Sequence, residues 1–225
     1  DLDKARTYYQ NGLRRCPNSI PLWRLASTLE KSTAGPVKAR SMLELARLKN
    51  PKNPELWLEA IRLEKEASNE KMGINLMAKA LQECPDSGIL WAEEIKTAPR
   101  ATRRAKSLEA LKRCDNDPHV ICAVAGLFVD ERKYPKARKW YNRAVTLDDK
   151  IGDVWAAYFA FELTHGEDEH QKDVTARCAG ADPKYGELWC SISKDPTNRK
   201  VAKGELLDRV AKRLIERTAE ASKVA

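Results

Sequence analysis

The apolar residues of the chain recur with the spacing of α-helices. In Val37–Lys49 and Glu55–Ala67, apolar side chains return every three or four residues, with Lys, Arg and Glu between them. This spacing places the apolar side chains on one face of a helix, whereas a half-buried strand would alternate strictly. No segment of the sequence shows that alternation, so the pattern predicts an all-α protein.

Three columns of residues repeat along the chain with one set of spacings. The first column holds tryptophans 34 residues apart, except for one interval of 64 that Ile121 divides into 30 and 34. Its members are Trp23, Trp57, Trp91, Trp155 and Trp189. The second column lies six residues earlier and holds Pro17, Pro51, Pro85, Asp115, Asp149 and Pro183. The third column holds the small residues Gly12, Ala46, Ala80, Ala110, Ala144 and Cys178. A period of about 34 residues is typical of stacked helix–turn–helix units, so the columns predict a right-handed α-solenoid of helix pairs.

One repeat is four residues shorter than the others. The deletion falls in Lys96–Arg104, where Pro99 interrupts the helical pattern. Because proline ends or kinks a helix, we expect a shortened first helix that ends near Ala98. We also expect the array to bend or twist irregularly there.

The two ends of the chain differ from the central array. Residues 1–16 match the second helix of a truncated repeat, residues 17–195 form the array, and residues 196–225 are expected to form a capping helix and tail. A lone half-repeat cannot bury its apolar face, which indicates the C-terminal piece of a longer array. After a break at Lys194–Pro196, Lys200–Ala221 predicts an amphipathic helix that covers the last repeat. Its apolar stripe holds Val201, Leu207, Val210, Leu214 and Thr218.

Composition limits the chemistry of the chain. The net charge of +8 and the pI of about 9.2 favour acidic partners, either nucleic acid or acidic protein surfaces. The longest uncharged apolar run, Val120–Val129, is too short for a membrane span of about 20 residues. The six cysteines form no C-x-x-C pair and only three histidines are present, so we expect free thiols and no zinc site. No phosphate-binding, dinucleotide or nucleophile motif occurs, so neither catalysis nor a bound cofactor is expected.

The first helices of the repeats carry a recognisable motif. Pro21–Glu30, Pro54–Glu64 and Asp153–Glu162 each contain Trp followed seven residues later by Glu, and the second helices carry Ala-Arg and close with Pro or Asp. This pattern resembles the half-a-TPR (HAT) repeat family, which occurs in RNA-processing complexes. Three repeats depart from it, with Ala98, Phe128 or Pro196 in place of the glutamate.

The resemblance implies a function for the chain. Within the family, Gly186–Asp195 and Lys136–Asp148 are most similar to members that bridge snRNP components in the spliceosomal tri-snRNP. It implies a nuclear, non-enzymatic scaffold of pre-mRNA splicing, monomeric within a larger complex. Its partners would be other spliceosomal snRNP proteins, with RNA contact secondary and no membrane contact. Two alternatives stay open: a HAT-repeat scaffold of 3′-end cleavage or ribosome biogenesis, and a TPR-type peptide-binding adaptor.

Most conspicuous residues have a structural interpretation. The five tryptophans recur at one packed position and are expected in the core. Cys16, Cys84 and Cys114 share one column at a helix end, which favours packing over catalysis. The column Glu30, Glu64 and Glu162 is expected to be solvated or paired with Arg6, Arg40 and Arg138.

Basic residues are the candidates for partner binding. Lys96–Arg113 holds seven basic residues and one acidic residue, and we expect the shortened repeat to leave its arginines unpaired. Such groups bind phosphates or carboxylates, although an ordinary solvated face has the same composition. By analogy with other helical repeats, positions five and eight residues after each tryptophan line the inner face of the array. The candidate residues are Arg62, Lys65, Lys96, Arg100, Arg103 and Arg104.

Overall fold

The prediction of an all-α fold is confirmed. The computed structural model describes residues 1–224, with side chains through residue 220. This part of the chain contains thirteen α-helices, one short 3-10 turn and no strand. Its β-type pairing is a single isolated bridge between Ile151 and Tyr185. The chain divides into two compact units between Thr97 and Ala98.

The first unit consists of alternating second and first helices of successive repeats. These are α1 (Leu2–Arg15), α2 (Ile20–Ala34), α3 (Pro36–Lys49), α4 (Pro54–Glu66), α5 (Glu70–Glu83) and α6 (Gly88–Thr97). Within this unit the first helix α2 packs against the second helix α3, and α4 packs against α5. Leu43, Leu56, Ile61 and Leu90 lie at the centre of the packed faces and are almost completely buried.

The second unit repeats this arrangement and adds a long final helix. Its helices are α7 (Arg100–Arg113), α8 (Pro118–Asp130), α9 (Tyr134–Leu147), α10 (Gly152–His165), α11 (Asp168–Ala181), α12 (Glu187–Ser193) and α13 (Lys203–Val224). The 3-10 turn spans Pro196–Asn198. The core is centred on α10, where Trp155, Phe159 and Phe161 are buried.

The second helices all end in the same way. The backbone N–H of the residue after each helix donates to the carbonyl of the small residue four positions earlier, for example from Asn50 to Ala46 and from Cys114 to Ala110. Gly12 is half-buried, and the other small residues, Ala46, Ala80, Ala110, Ala144 and Cys178, have no exposed surface. The small column therefore permits close helix packing and also receives the bond that closes the helix.

The shortened repeat has a short first helix. α6 has ten residues, whereas α4 and α8 have thirteen each. It ends at Thr97, where the chain also passes from the first unit to the second, and Pro99 is the N-cap of α7. The predicted bend or twist at this point stays a prediction.

The capping helix differs in detail from the expectation. It begins at Lys203, so that Val201 lies before the helix. α13 packs against α10, α11 and α12. The residues that it buries are Leu206, Leu207, Val210 and Ala211. The predicted stripe was wrong at Thr218, which is exposed, because burial along α13 ends at Ile215.

Candidate partner-binding surface

The tryptophan column is internal to the repeats. Its five side chains are 1–8% exposed. Each indole N–H donates to the backbone carbonyl of the residue six positions earlier, at 2.7–3.1 Å. Since the acceptor is a carbonyl, the second column can hold either Pro or Asp. Burial and this hydrogen bond leave no ring free to stack on a nucleic-acid base.

The glutamate column is also internal, and its charges are paired rather than solvated. Glu64 and Glu162 are 1% and 0% exposed, and Glu30 is 6% exposed. Each carboxylate accepts two N–H bonds from an arginine 24 residues earlier. The Nε–Oε1 distances are 2.7 Å for Arg6–Glu30 and 2.6 Å for both Arg40–Glu64 and Arg138–Glu162. We call each of these pairs an Arg–Glu clamp.

Residues next to the Arg–Glu clamps support the buried carboxylates or leave room for them. Hydrogen bonding by Arg40, supported by Asn69, holds the pKa of Glu64 below its ordinary value despite burial. A Cβ at Gly166 would collide with the carboxylate of Glu162, so this turn requires glycine. The charges of the Arg–Glu clamps are thus paired with each other inside the fold. The clamps bring no two carboxylates together, so they form no site for acid–base chemistry.

A carboxylate that the repeat pattern did not indicate joins α10 to α12. Asp153 accepts from the backbone N–H groups of Glu187, Leu188 and Trp189, at 2.7, 3.2 and 2.7 Å. These amides open α12 and have no partner within the helix. The equivalent positions in other repeats hold different residues, so the column pattern carried no signal for this contact.

The candidate residues of α4 and α6 surround one acidic group. Lys65 Nζ lies 2.8 Å from Oε1 of Glu93, and Arg62 Nη2 lies 4.0 Å from its Oε2. Burial opposes ionisation of Glu93, but the charge and hydrogen bond of Lys65, with the charges of Arg62 and Lys96, leave its pKa below the ordinary value. Arg62 and Lys65 are therefore partly neutralised, while Lys96 is exposed at the end of α6.

The three candidate arginines of α7 have different environments. Arg103 was expected to be unpaired, and this was wrong: its Nη1 lies 3.0 Å from Oδ2 of Asp130, and its Nε donates to the carbonyl of Ala98 at 3.1 Å. The end of α8 brings Asp130 within reach of α7. Arg100 and Arg104 are exposed, and neither forms an ion pair within the part of the chain that the structure describes.

The turn between α8 and α9 adds charges near Arg104 that sequence reasoning missed. Lys133 Nζ lies 2.6 Å from Oε2 of Glu131. Hydrogen bonding by Lys133, and then the charges of Lys133, Arg104 and Lys136, lower the pKa of Glu131. One carboxylate therefore faces three cations, and the excess positive charge lies at the surface.

Other features offer less for binding. An open groove of about 530 Å³ lies along Val145–Asp149, Trp155, Arg177, Gly180 and Ala181. Two of its polar side chains are already bonded, since Trp155 donates to the Asp149 carbonyl and Arg177 donates to the Asn142 side-chain oxygen. Among the described residues, no cluster of His, Cys, Asp and Glu is suited to a metal ion. No helix in that part of the chain is long and apolar enough to span a membrane.

Comparison with known proteins gives the repeats a context. The chain is 41% identical over 206 residues to pre-mRNA-splicing factor prp1 of Schizosaccharomyces pombe, which covers 92% of the chain and 23% of that protein. It is 52% identical over 115 residues to human pre-mRNA-processing factor 6, covering 51% of the chain and 12% of that protein.

The chain resembles a segment of pre-mRNA-processing factor 6. A more distant relative, pre-mRNA-splicing factor 6 of Saccharomyces cerevisiae, is 29% identical over 200 residues, which covers 87% of the chain and 22% of that protein. The predicted resemblance to a pre-mRNA-splicing protein is confirmed by these factor 6 relatives, and membership of the HAT repeat family stays a prediction. No protein-family model matches the chain. The chain spans less than a quarter of the length of the relatives it matches, at 12–23%.

Proposed function

We propose that this chain is a scaffold segment of the pre-mRNA splicing machinery. It bridges snRNP components during tri-snRNP and spliceosome assembly through protein–protein contacts, acts in the nucleus and has no catalytic role. The observation that carries the proposal is the 41% identity to a pre-mRNA-splicing factor over 92% of the chain. The chain acts as a monomer within the larger complex.

A scaffold role is supported by the recurring polar groups of the repeats, which are bonded to each other inside the fold. The indole N–H groups and the Arg–Glu clamps hold the repeats together from inside, so partners dock on exposed side chains. Stacked repeats expose long surfaces that suit extended protein contacts. We place these contacts on the basic candidates, with RNA contact secondary. The residues are Arg62, Lys65, Lys96, Arg100, Arg103 and Arg104.

The test is the assembly state of the protein in nuclear extract. A tagged full-length protein that contains this chain is purified, sedimented and crosslinked, and crosslinked peptides are identified by mass spectrometry. We expect crosslinks from this chain to proteins of the tri-snRNP. Crosslinks confined to 3′-end cleavage factors, ribosome-biogenesis proteins or a free C-terminal peptide would overturn the proposal. The control is a double variant, Trp57→Ala with Trp155→Ala, which removes two buried side chains. Crosslinks that this variant loses are those that need folded repeats.

A further inference from the structure

The fourth repeat keeps one half of an Arg–Glu clamp. Arg104 stands 24 residues before Phe128, the same separation that joins Arg138 to Glu162 in the next repeat. Phe128 packs against Trp140, with ring centroids 5.8 Å apart, and fills the position where a glutamate would lie. Because the internal acceptor is missing, the Arg104 side chain is exposed and its charge faces solvent.

The other departures from the column show what is special about this repeat. In the third repeat both members are replaced, by Ile74 and Ala98, and no charge remains. In the sixth, Lys172 precedes Pro196, so the fork of two N–H donors is absent. The fourth repeat alone retains an arginine without its glutamate. Arginine binds carboxylates in a planar, bidentate manner that lysine cannot reproduce.

Nearby acidic groups neutralise Arg104 only in part, because the charge of Glu131 acts on Arg104 but its carboxylate is hydrogen-bonded to Lys133. Asp130 bonds Arg103 at 3.0 Å, and Glu131 bonds Lys133 at 2.6 Å. Glu109 lies five residues after Arg104 on α7 and therefore points away from it, since five residues turn a helix by about 140° beyond a full turn.

Arg104 is one member of an exposed ridge on α7. Arg100, Arg104, Leu108 and Lys112 are spaced four residues apart and are all exposed, with Leu108 57% exposed. Side chains four residues apart on a helix lie about 6 Å apart along its axis. Alternate side chains of an extended peptide are about 6.6 Å apart. The ridge therefore matches every second residue of an extended segment, with three cations around one apolar side chain.

We propose that the α7 ridge, Arg100, Arg104, Leu108 and Lys112, binds an extended acidic segment of a partner protein, whose carboxylate takes the place on Arg104 of the missing glutamate. An apolar side chain of the segment covers Leu108. The inference rests on the proposed function only in taking the segment from a splicing protein; the chemistry rests on the Arg–Glu clamps of this chain.

A protein segment fits the ridge better than single-stranded RNA. Sequence-independent binding of a single strand relies on aromatic faces that stack bases. Two aromatic rings of this repeat, Phe128 and Trp140, are partly buried. Cations lie over both: Lys136 Nζ is 6.0 Å from the Phe128 centroid, and the Arg143 guanidinium is 5.6 Å from that of Trp140. Leu108 offers an apolar contact but no stacking surface.

The test uses the complete chain and a peptide designed on the ridge. A fluorescein-labelled peptide with the central sequence Glu-Ser-Glu-Ser-Leu-Ser-Glu places three carboxylates and one leucine on alternate residues, and anisotropy measures its affinity. We expect Arg100→Glu with Arg104→Glu to weaken binding by about tenfold or more, because charge-assisted bonds become repulsions. Lys172→Glu with Lys200→Glu makes the same change in charge at two exposed lysines, one in the same column, and is expected to retain wild-type affinity within about twofold.

Two further variants separate the parts of the proposal. We expect Leu108→Ser to weaken peptide binding by a few fold, and a peptide with Ser in place of its Leu to bind the wild-type chain more weakly by the same factor. Because the two leucines contact each other, combining the two changes should weaken binding no more than either change alone. Phe128→Glu restores the glutamate 24 residues after Arg104, so Arg104 is expected to turn inward and peptide affinity to fall. Circular dichroism checks that Phe128→Glu folds; where it does not, the charge-reversal pair decides the question.

Three outcomes would overturn the proposal. Equal loss of peptide binding in both charge-reversal pairs would show non-specific attraction. Loss of binding to labelled oligouridylate in the α7 pair, with peptide binding unchanged, would show a nucleic-acid surface. No change with either probe would show an ordinary solvated face. The proposed function fails separately, if the wild-type protein makes no tri-snRNP crosslinks whatever the peptide result.

Discussion

Replacing Glu162 by glutamine tests the energetic role of the Arg–Glu clamps. The change preserves shape but removes the negative charge that faces Arg138 across bonds of 2.6 and 2.9 Å. Glu162 is fully buried, while 28% of the Arg138 side chain is exposed. Removing one partner of a fully buried pair costs about 3–5 kcal/mol. Because Arg138 can partly rehydrate, we expect Glu162→Gln to cost about 2–4 kcal/mol.

The assay is urea and thermal unfolding followed by tryptophan fluorescence and circular dichroism. A cost of 2–4 kcal/mol corresponds to a fall in Tm of about 4–16 °C for a chain of this size. The double variant Arg138→Met with Glu162→Leu removes both charges, and we expect it to recover at least half of the loss. Asp173→Asn breaks the exposed pair Arg177–Asp173 and is expected to cost at most about 0.5 kcal/mol.

The double-mutant cycle can refute this reasoning. If Glu162→Gln destabilised the protein no more than Asp173→Asn, the Arg–Glu clamp would contribute no more than a surface ion pair. If the double variant lost as much as the sum of Arg138→Met and Glu162→Leu made singly, the two residues would not be energetically coupled. Either result would also weaken the argument that the missing glutamate of the fourth repeat leaves a usable arginine.

Three other changes follow from the packing. Since Arg40 holds the pKa of Glu64 low, this Arg–Glu clamp stabilises the fold above a pH of about 4.5 and loses that effect as pH falls through the folded pKa. The Tm of Glu64→Gln should therefore change less between neutral and acidic pH than the Tm of the wild-type protein, and an equal change in the two proteins would contradict this pH dependence. Trp57→Ala should lower the free energy of unfolding by about 3–5 kcal/mol, as measured by chemical denaturation. Trp57→Phe loses mainly the hydrogen bond to the Pro51 carbonyl and should lower it by less; equal losses in the two variants would argue against a packing role for the ring. Arg132 has a φ of 57°, so Arg132→Gly should raise stability by about 0.5–1 kcal/mol in a thermal melt, while Arg132→Ala should not; a rise in both would assign the gain to lost charge.

The sequence was informative where a residue recurs because the fold requires it. The tryptophans, small residues and proline or aspartate positions share one period, and all three meet at the end of a second helix in the structure. The pairing of Arg40 with Glu64 was also among the alternatives, because two columns with opposite charge recur together. A period therefore reports which residues face neighbouring helices, even without their distances.

Contacts that occur once were not predictable in this way. Asp153 binds amides more than thirty residues later, with separations of 34–36, and no other repeat has an equivalent contact to reveal it. Arg103 lies within a strongly basic stretch, and its partner Asp130 becomes close only through the packing of α7 on α8. Composition of the local sequence could not distinguish Arg103, which is paired, from Arg104, which is not.

The indole column gives the molecule a set of built-in optical probes. Each of the five tryptophans is buried and bonded to a carbonyl six residues away in its own repeat, so its fluorescence responds first to the local integrity of that repeat. Chains that keep a single native tryptophan and replace the others by phenylalanine would report, repeat by repeat, where unfolding begins. The fourth repeat has Ile121 at this position and is silent in such a series, but Trp140 beside Phe128 supplies a signal at the place where the Arg–Glu clamp is incomplete.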